Sequence, residues 1–305
     1  MPPGRINVRL DSVPLPLHRD WLRALDATGS KVSWSGNLPG VMITAQPVAS
    51  PGGGVRARVA APAGSQVVVG DDVGVVDTVR AENAGAQLVL ASKPRELSAD
   101  VSNSRAITVP RDSLRLGRVL VIGNAGWESK FVIAALEEDG WKVDAFIRVA
   151  PDVDVTQGSI ASIDTSRYSA VVALDGAVSP YAARIVEFAR SGGGVVISPA
   201  AASLDAMSPL RSGSPGRPSS ESGVIQASGS VSLATLPFGP ITQLRSDAVP
   251  LERRSSAVAI SARRVLAGRA LQIGYDETWR WRMGGGANAL RDHRSWWTGL
   301  VSSVA

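Results

Sequence analysis

A chain of 305 residues, 44% apolar and 19% charged, has the material for a real core and is too apolar for a disordered chain. It contains no cysteine, which excludes disulfides, thiolate metal sites and a cysteine nucleophile, and its two histidines, His18 and His293, argue against a multi-histidine metal centre. The net charge of +5 is spread without long like-charged runs, which argues against nucleic acid, and no apolar run reaches the roughly 18–20 residues of a membrane span.

Residues 1–40 predict a short strand over Ile6–Leu10, an amphipathic helix over Leu17–Asp26 with Trp21, Leu22 and Leu25 on one face, and a second strand over Lys31–Trp34. Residues 41–112 change character. Short β-branched segments, from Val41–Ala49 and Val55–Ala61 through Gln66–Val69, Val73–Val79, Ala86–Ala91 and Leu97–Val101 to Ala106–Val109, are punctuated by Gly, Pro, Asn or Asp. In "GVRARVAAP", Val55, Ala57 and Val59 alternate with Arg56 and Arg58, the period of a half-buried strand. This region predicts a small immunoglobulin-like β-sandwich.

Residues 113–305 predict an α/β domain. "RVLVIG" (118–123) is a continuous apolar run, as a strand buried on both faces requires, and a helix follows over Glu128–Glu138. "KVDAFIRVA" (142–150), "YSAVVALDG" (168–176) and "GGGVVISPA" (192–200) predict further strands, with a helix over Pro180–Ser191 between the last two. Right-handed crossovers would make these a doubly wound parallel sheet. Residues 208–230, rich in Ser, Gly and Pro, predict a flexible loop. The chain returns with "VSLAT" (231–235), "AVPLERR" (248–254), "AVAISARRV" (257–265) and "RALQIGY" (269–275), and ends in a helix over His293–Val304.

In open α/β sheets ligands bind outside the carboxyl ends of the strands, which nominates Gly123, Asn124, Asp175, Ser198, Tyr275 and Asp276. In "GNAGWESK" (123–130), Gly123 and Gly126 allow a tight turn whose helix start could hold an anion, but neither dinucleotide nor Walker spacing is present. The opposing reading is a plain turn with Trp127 packed over the sheet edge. Ser198 stands where a nucleophile elbow would be, without G-x-S-x-G, and His293 is a remote candidate base for it. "YDETWRWRM" (275–283), read as a strand, puts Trp279 and Trp281 on one face and Thr278, Arg280 and Arg282 on the other. That is a platform for a sugar, peptide or aromatic partner; alternatively the Trp rings pack on the sheet edge and the Arg residues pair with Asp276, Glu277 or Glu128.

"RVLVIGNAGWESKFVIAALEEDGWKVD", "YSAVVALDG", "ARSGGGVVIS" and the ending "LQIGYDETWRWRM…HRSWW" together resemble class I glutamine amidotransferase-like domains. The likeness is to those of bacterial membrane proteins with a BatA-type anchor and a von Willebrand factor A-like region. The resemblance implies a flavodoxin-like three-layer α/β domain over 113–305, after an all-β sandwich over 41–112. It also implies a cell-envelope setting, a membrane anchor upstream of this chain, and protein partners there. Such enzymes use an elbow cysteine; here the elbow is Ser198-Pro199-Ala200-Ala201, so the resemblance implies a pseudoenzyme.

The expected function is a non-catalytic accessory or interaction module with no cofactor, no metal and no nucleic-acid partner. Its binding edge would hold Gly123, Asn124, Gly126, Trp127, Glu128, Asp175, Ser198, Asp276, Trp279 and Arg280. The alternatives are a hydrolase using Glu128, Asp175 and Asp276, with or without a borrowed metal, and a small-anion or nucleotide site at Gly123–Gly126.

Overall fold

The computed structural model describes residues 4–10, 18, 22, 25, 30–36, 40–82, 85–110, 114, 116–158, 162–218 and 231–305. The chain divides into two compact units, residues 1–48 with 53–113, and residues 49–52 with 114–305. The expected loop over 208–230 lies outside the described residues from 219 onward, and the expected helix over Leu17–Asp26 does too, apart from His18, Leu22 and Leu25, which are helical.

In the first unit β1 (Arg5–Leu10) pairs in parallel with β2 (Lys31–Gly36). Seven strands follow: β3 (Met42–Pro47), β4 (Val55–Ala60), β5 (Gln66–Asp71), β6 (Val75–Arg80), β7 (Ala86–Leu90), β8 (Leu97–Val101) and β9 (Ser104–Thr108). They form antiparallel sheets ordered β3-β4-β7 and β6-β5-β8-β9. Alternation buries Val55, Ala57 and Val59, which join Val67, Val69, Leu97 and Ala99 of the other sheet in one core.

The second unit is built on one ten-stranded mixed sheet. Its strands are β10 (Arg118–Asn124), β11 (Val143–Ala150), β12 (Val153–Gln157), β13 (Tyr168–Ala173), β14 (Gly194–Ile197), β15 (Ser214–Pro215), β16 (Ile241–Thr242), β17 (Ala248–Arg254), β18 (Ala257–Val265) and β19 (Gly268–Ile273). The order is β12-β11-β10-β13-β14-β19-β18-β16-β15, with β17 also against β18. This corrects the expected flavodoxin-like three-layer fold. Only β10, β11, β13, β14 and β19 have parallel neighbours; the other five strands pair only antiparallel. The reason is connection length. Pro151-Asp152 joins β11 to β12 and Leu266-Ala267 joins β18 to β19, with left-handed backbone at Asp152 (φ 61°) and Leu266 (φ 52°). Two residues can close an antiparallel hairpin, whereas parallel neighbours need a long crossover. "VSLAT" is also corrected: Leu233–Thr235 is a 3₁₀ turn.

The helices are α1 (Trp127–Glu138), α2 (Ala182–Arg190), α3 (Pro199–Ala202), α4 (Trp279–Gly284) and α5 (Ala289–Val304). The apolar run of β10 is buried on both faces. Val119 and Val121 share a core with Val132 and Leu136 of α1 and Trp297 and Val301 of α5. Leu120 and Ile122 share another with Ile185 and Phe188 of α2. Each such large side chain contributes roughly 1.5–3 kcal/mol by burial, which is what holds the strand ends in place.

At the amino end of the parallel strands Asp144 is fully buried. Its carboxylate accepts from Arg118 (2.8 Å), Arg167 (2.7 Å) and the Tyr168 hydroxyl (2.8 Å). Burial alone would raise its pKa, but these donors outweigh burial and lower it. Gly158, at φ 79°, passes so close that a Cβ there would lie 2.0 Å from Asp144 Oδ1.

Candidate functional site

Because β10, β13, β14 and β19 are parallel, the residues at or just beyond their carboxyl ends lie along one edge: Asn124, Asp175, Ser198 and Asp276. Gly123 permits a close approach, since a Cβ would meet Leu174 at 3.2 Å and Asp175 Oδ2 at 3.4 Å. Gly126 is extended (φ 177°) with open space around it, so the expected need for glycine in the turn is corrected at this position.

Most polar groups nominated by strand topology are occupied within the chain. Asp175 Oδ2 accepts the Asn124 N–H (2.8 Å) and Oδ1 accepts the Ala177 N–H (3.0 Å), so the carboxylate ties β10 to the turn after β13. The Asn124 amide is therefore taken, and by a negative group. The Ser198 hydroxyl donates to the Leu174 carbonyl and accepts the Ala201 N–H (3.3 Å), capping α3. His293 bonds elsewhere, at Thr278.

The stretch 275–283 is not a strand. Asp276 Oδ1 accepts the Glu277 N–H (2.8 Å), Glu277 is left-handed at φ 50°, and α4 begins at Trp279. The expected two-faced strip is thereby corrected: Trp279 and Trp281 go to different surroundings. Trp281 lies edge-on to His293 and Trp296, while Trp279 lies 6.4 Å from the Trp127 ring. Arg280 pairs with Glu277 (2.6 Å) and Arg282 with Glu138 (2.6 Å).

Glu128, in the first turn of α1, is the fastener. Its Oε1 lies 2.6 Å from Thr278 Oγ1, and its Oε2 accepts the Trp279 N–H (3.1 Å). Thr278 Oγ1 also accepts the Trp297 indole N–H (2.9 Å) and lies 3.2 Å from His293 Nε2. One hydroxyl thus joins α1, α4 and α5. Burial pushes the Glu128 carboxyl up to about 7, and nearby Asp276 adds to this against the bonds from Thr278 and Trp279. Asp276 is raised by burial and by the negative Glu277 and Asp175. Burial, helped by Arg282, pushes His293 down to about 4, against Glu138.

Beside this buried knot lies an exposed aromatic tier. Trp127 is 52% exposed, which corrects the reading that it packs away over the sheet edge. It stacks on Phe131 (5.7 Å, 15°). Lys130 sits 5.0 Å from the Trp127 ring centre, Arg280 5.1 Å from that of Trp279, and Arg282 5.2 Å from that of Phe131. Among the described residues no group of three or more His, Asp or Glu is placed to hold a metal. The hub role of Thr278 escaped sequence reasoning. The available signal was the spacing of His293 and Trp297, one helical turn apart on one face of α5.

No protein-family model matches the chain, and no curated protein matches it. Solved structures do. The cytoplasmic protein STM1381 from Salmonella typhimurium LT2 is similar at 11% identity and a TM-score of 0.40, over 61% of this chain and 99% of that one. The cytoplasmic protein STM3548 from Salmonella typhimurium is similar at 14% identity and 0.36, over 60% and 97%. The exo-β-1,4-mannosidase Op5Man5 from Opitutaceae bacterium strain TAV5 is similar at 13% and 0.40, over 63% of this chain but only 36% of the enzyme.

The resemblance to glutamine amidotransferase-like domains of BatA-type membrane proteins is corrected: no family model matches the chain, and its sheet mixes parallel with antiparallel strands where the resemblance implied a flavodoxin-like domain. The reading of Ser198 as a dead amidotransferase elbow falls with it, and so does the cell-envelope setting it implied. What the structure shows of membranes is that no helix among the described residues is long and apolar enough to cross one.

Proposed function

We propose that the chain is a protein-interaction module whose contact surface is the Trp127–Phe131–Trp279 tier. The observation that carries this reading is the 52% exposure of Trp127, next to carboxylates whose oxygens already serve the chain's own donors. An exposed Trp stacked on a second ring and flanked by cations is pre-organised, and Trp and Arg dominate the energetics of protein interfaces. Among the described residues Lys130 has no carboxylate partner, so the complementary surface would offer an apolar side chain beside an acidic one.

The test uses the full chain as bait in extract of the source cell, followed by titration of the purified partner against wild type and Trp127→Ser. A loss of tenfold or more in affinity, about 1.4 kcal/mol, with unchanged unfolding supports the reading; equal affinity, or no partner, sinks it. A second reading, acid–base hydrolysis by Glu128 with Asp276, rests on the Glu128 carboxyl at about 7. Turnover on a panel of esters and glycosides, abolished by Glu128→Gln, would replace the first reading with the second.

A further inference from the structure

The hydroxyl of Thr278 has three partners and one proton. Trp297 Nε1, 2.9 Å away, can only donate, and it takes one of the two lone pairs of the oxygen. One proton and one lone pair remain for Glu128 Oε1 at 2.6 Å and His293 Nε2 at 3.2 Å. If the hydroxyl donates to one of these two, the other must donate to the hydroxyl. Thr278 is 1% exposed and His293 and Trp297 are both 0% exposed, so the hydroxyl and the imidazole are shielded from solvent, while Glu128 is only partly buried.

With the imidazole neutral, as burial keeps it above about 4, two arrangements satisfy this count. In the first, Glu128 is an anion that accepts from Thr278, and His293 carries its proton on Nε2 and donates to Thr278. In the second, Glu128 is a neutral acid that donates to Thr278, Thr278 donates to a bare Nε2, and His293 carries its proton on Nδ1. Glu128 Oε2 is held as an acceptor by the Trp279 N–H, so the acid proton belongs on Oε1, the oxygen that faces Thr278.

We infer that Glu128, Thr278 and His293 form a proton relay, in which Glu128 cannot change its protonation without a change in the tautomer of His293. The bookkeeping balances. A proton arriving at His293 Nδ1 displaces the Nε2 proton to Thr278, and Thr278 passes its own to Glu128. Three O–H or N–H bonds form and two break, for one proton taken up. Nδ1 is buried and has no partner of its own, so no second bond locks either tautomer.

The charges around the relay favour its operation near neutrality. Asp276, with Asp175 behind it, faces Glu128 from the carboxyl edge; Arg282 of α4 and Glu138 of α1 face His293. Burial holds the imidazole neutral down to about 4, so the proton passes through His293 and comes to rest on Glu128, whose carboxyl sits at about 7. The relay stands independently of the proposed interaction surface, since it needs no partner.

The test is nitrogen NMR of imidazole-labelled protein in a His18→Gln background, which leaves His293 as the only imidazole. Between about pH 5 and about pH 9, the Nδ1 and Nε2 signals of His293 should exchange character once, with a midpoint near 7 and without imidazolium. Glu128→Gln, whose amide donates to Thr278 as the neutral acid does, should hold the Nδ1-protonated tautomer throughout. Thr278→Ser should keep the transition, and Thr278→Val should abolish it. A tautomer constant over the whole range in the otherwise unaltered relay, or a transition that survives in Glu128→Gln, overturns the inference.

Discussion

Replacing Glu128 by Gln should change how stability depends on pH, and the direction follows from linkage. The folded protein holds the Glu128 proton up to about 7, whereas the ordinary value of a glutamate side chain is 4.5. Glu128 thus contributes stability that is fully present below 4.5 and lost as pH rises through 7. His293 does the opposite. Its folded value of about 4 stands below 6.5, so its contribution is fully present above 6.5 and lost as pH falls through 4. One proton of difference is worth about 1.4 kcal/mol per pH unit, so each group accounts for at most about 3 kcal/mol over its window. Between 4.5 and 6.5 the two slopes cancel in the wild type. In Glu128→Gln only the His293 slope is left, so the variant should gain up to about 3 kcal/mol relative to wild type between pH 4.5 and 7, then hold level. His293→Gln should show the mirror image, losing ground to wild type between 4 and 6.5 as pH rises. Urea unfolding followed by tryptophan fluorescence, repeated across the range, gives the difference directly. Parallel profiles for wild type and Glu128→Gln would refute the reasoning.

Three further outcomes test the frame around the site. Asp144→Asn leaves Arg118 and Arg167 half paired around a buried position; both guanidinium side chains are about one-third exposed (35% and 34%) and can rehydrate, so the loss should be roughly 2–3 kcal/mol in urea unfolding, below that of a wholly buried pair. Gly158→Ala places a methyl 2.0 Å from Asp144 Oδ1 at a left-handed backbone, and should cost roughly 2–4 kcal/mol by the same measurement. Trp127→Ser removes a half-exposed ring and should cost about 1 kcal/mol or less, so a large drop would mean that Trp127 is a structural rather than a contact residue.

The strands were legible where burial on both faces leaves an uninterrupted apolar run. "RVLVIG" corresponds to β10 within a residue, and β13 takes up the first six residues of "YSAVVALDG". The direction of the strands was not read from those runs, because apolarity is the same in parallel and antiparallel neighbours. It lay in the connections, Pro151-Asp152 and Leu266-Ala267, whose two-residue length admits only a hairpin. "YDETWRWRM" misled for a related reason. Alternating Trp and Arg has the period of a strand, but the carboxylate of Glu128, 151 residues away, caps the Trp279 N–H, and Glu277 turns left-handed just before. No window of local sequence contains that contact.

Strand topology brings Asn124, Asp175 and Ser198 to one edge of the sheet without saying what they do there. Strand ends collect polar groups because the sheet's last amides and carbonyls need partners. Asp175 and Ser198 meet that need at β10 and α3, and so have no free oxygen facing outward. The same accounting singles out Thr278 as the place where demand exceeds supply, with three partners for a single proton. A polar cluster with a full set of complementary donors and acceptors is rigid and indifferent to pH. One that is a proton short must choose between two arrangements, and a carboxyl group poised near neutrality decides which it adopts.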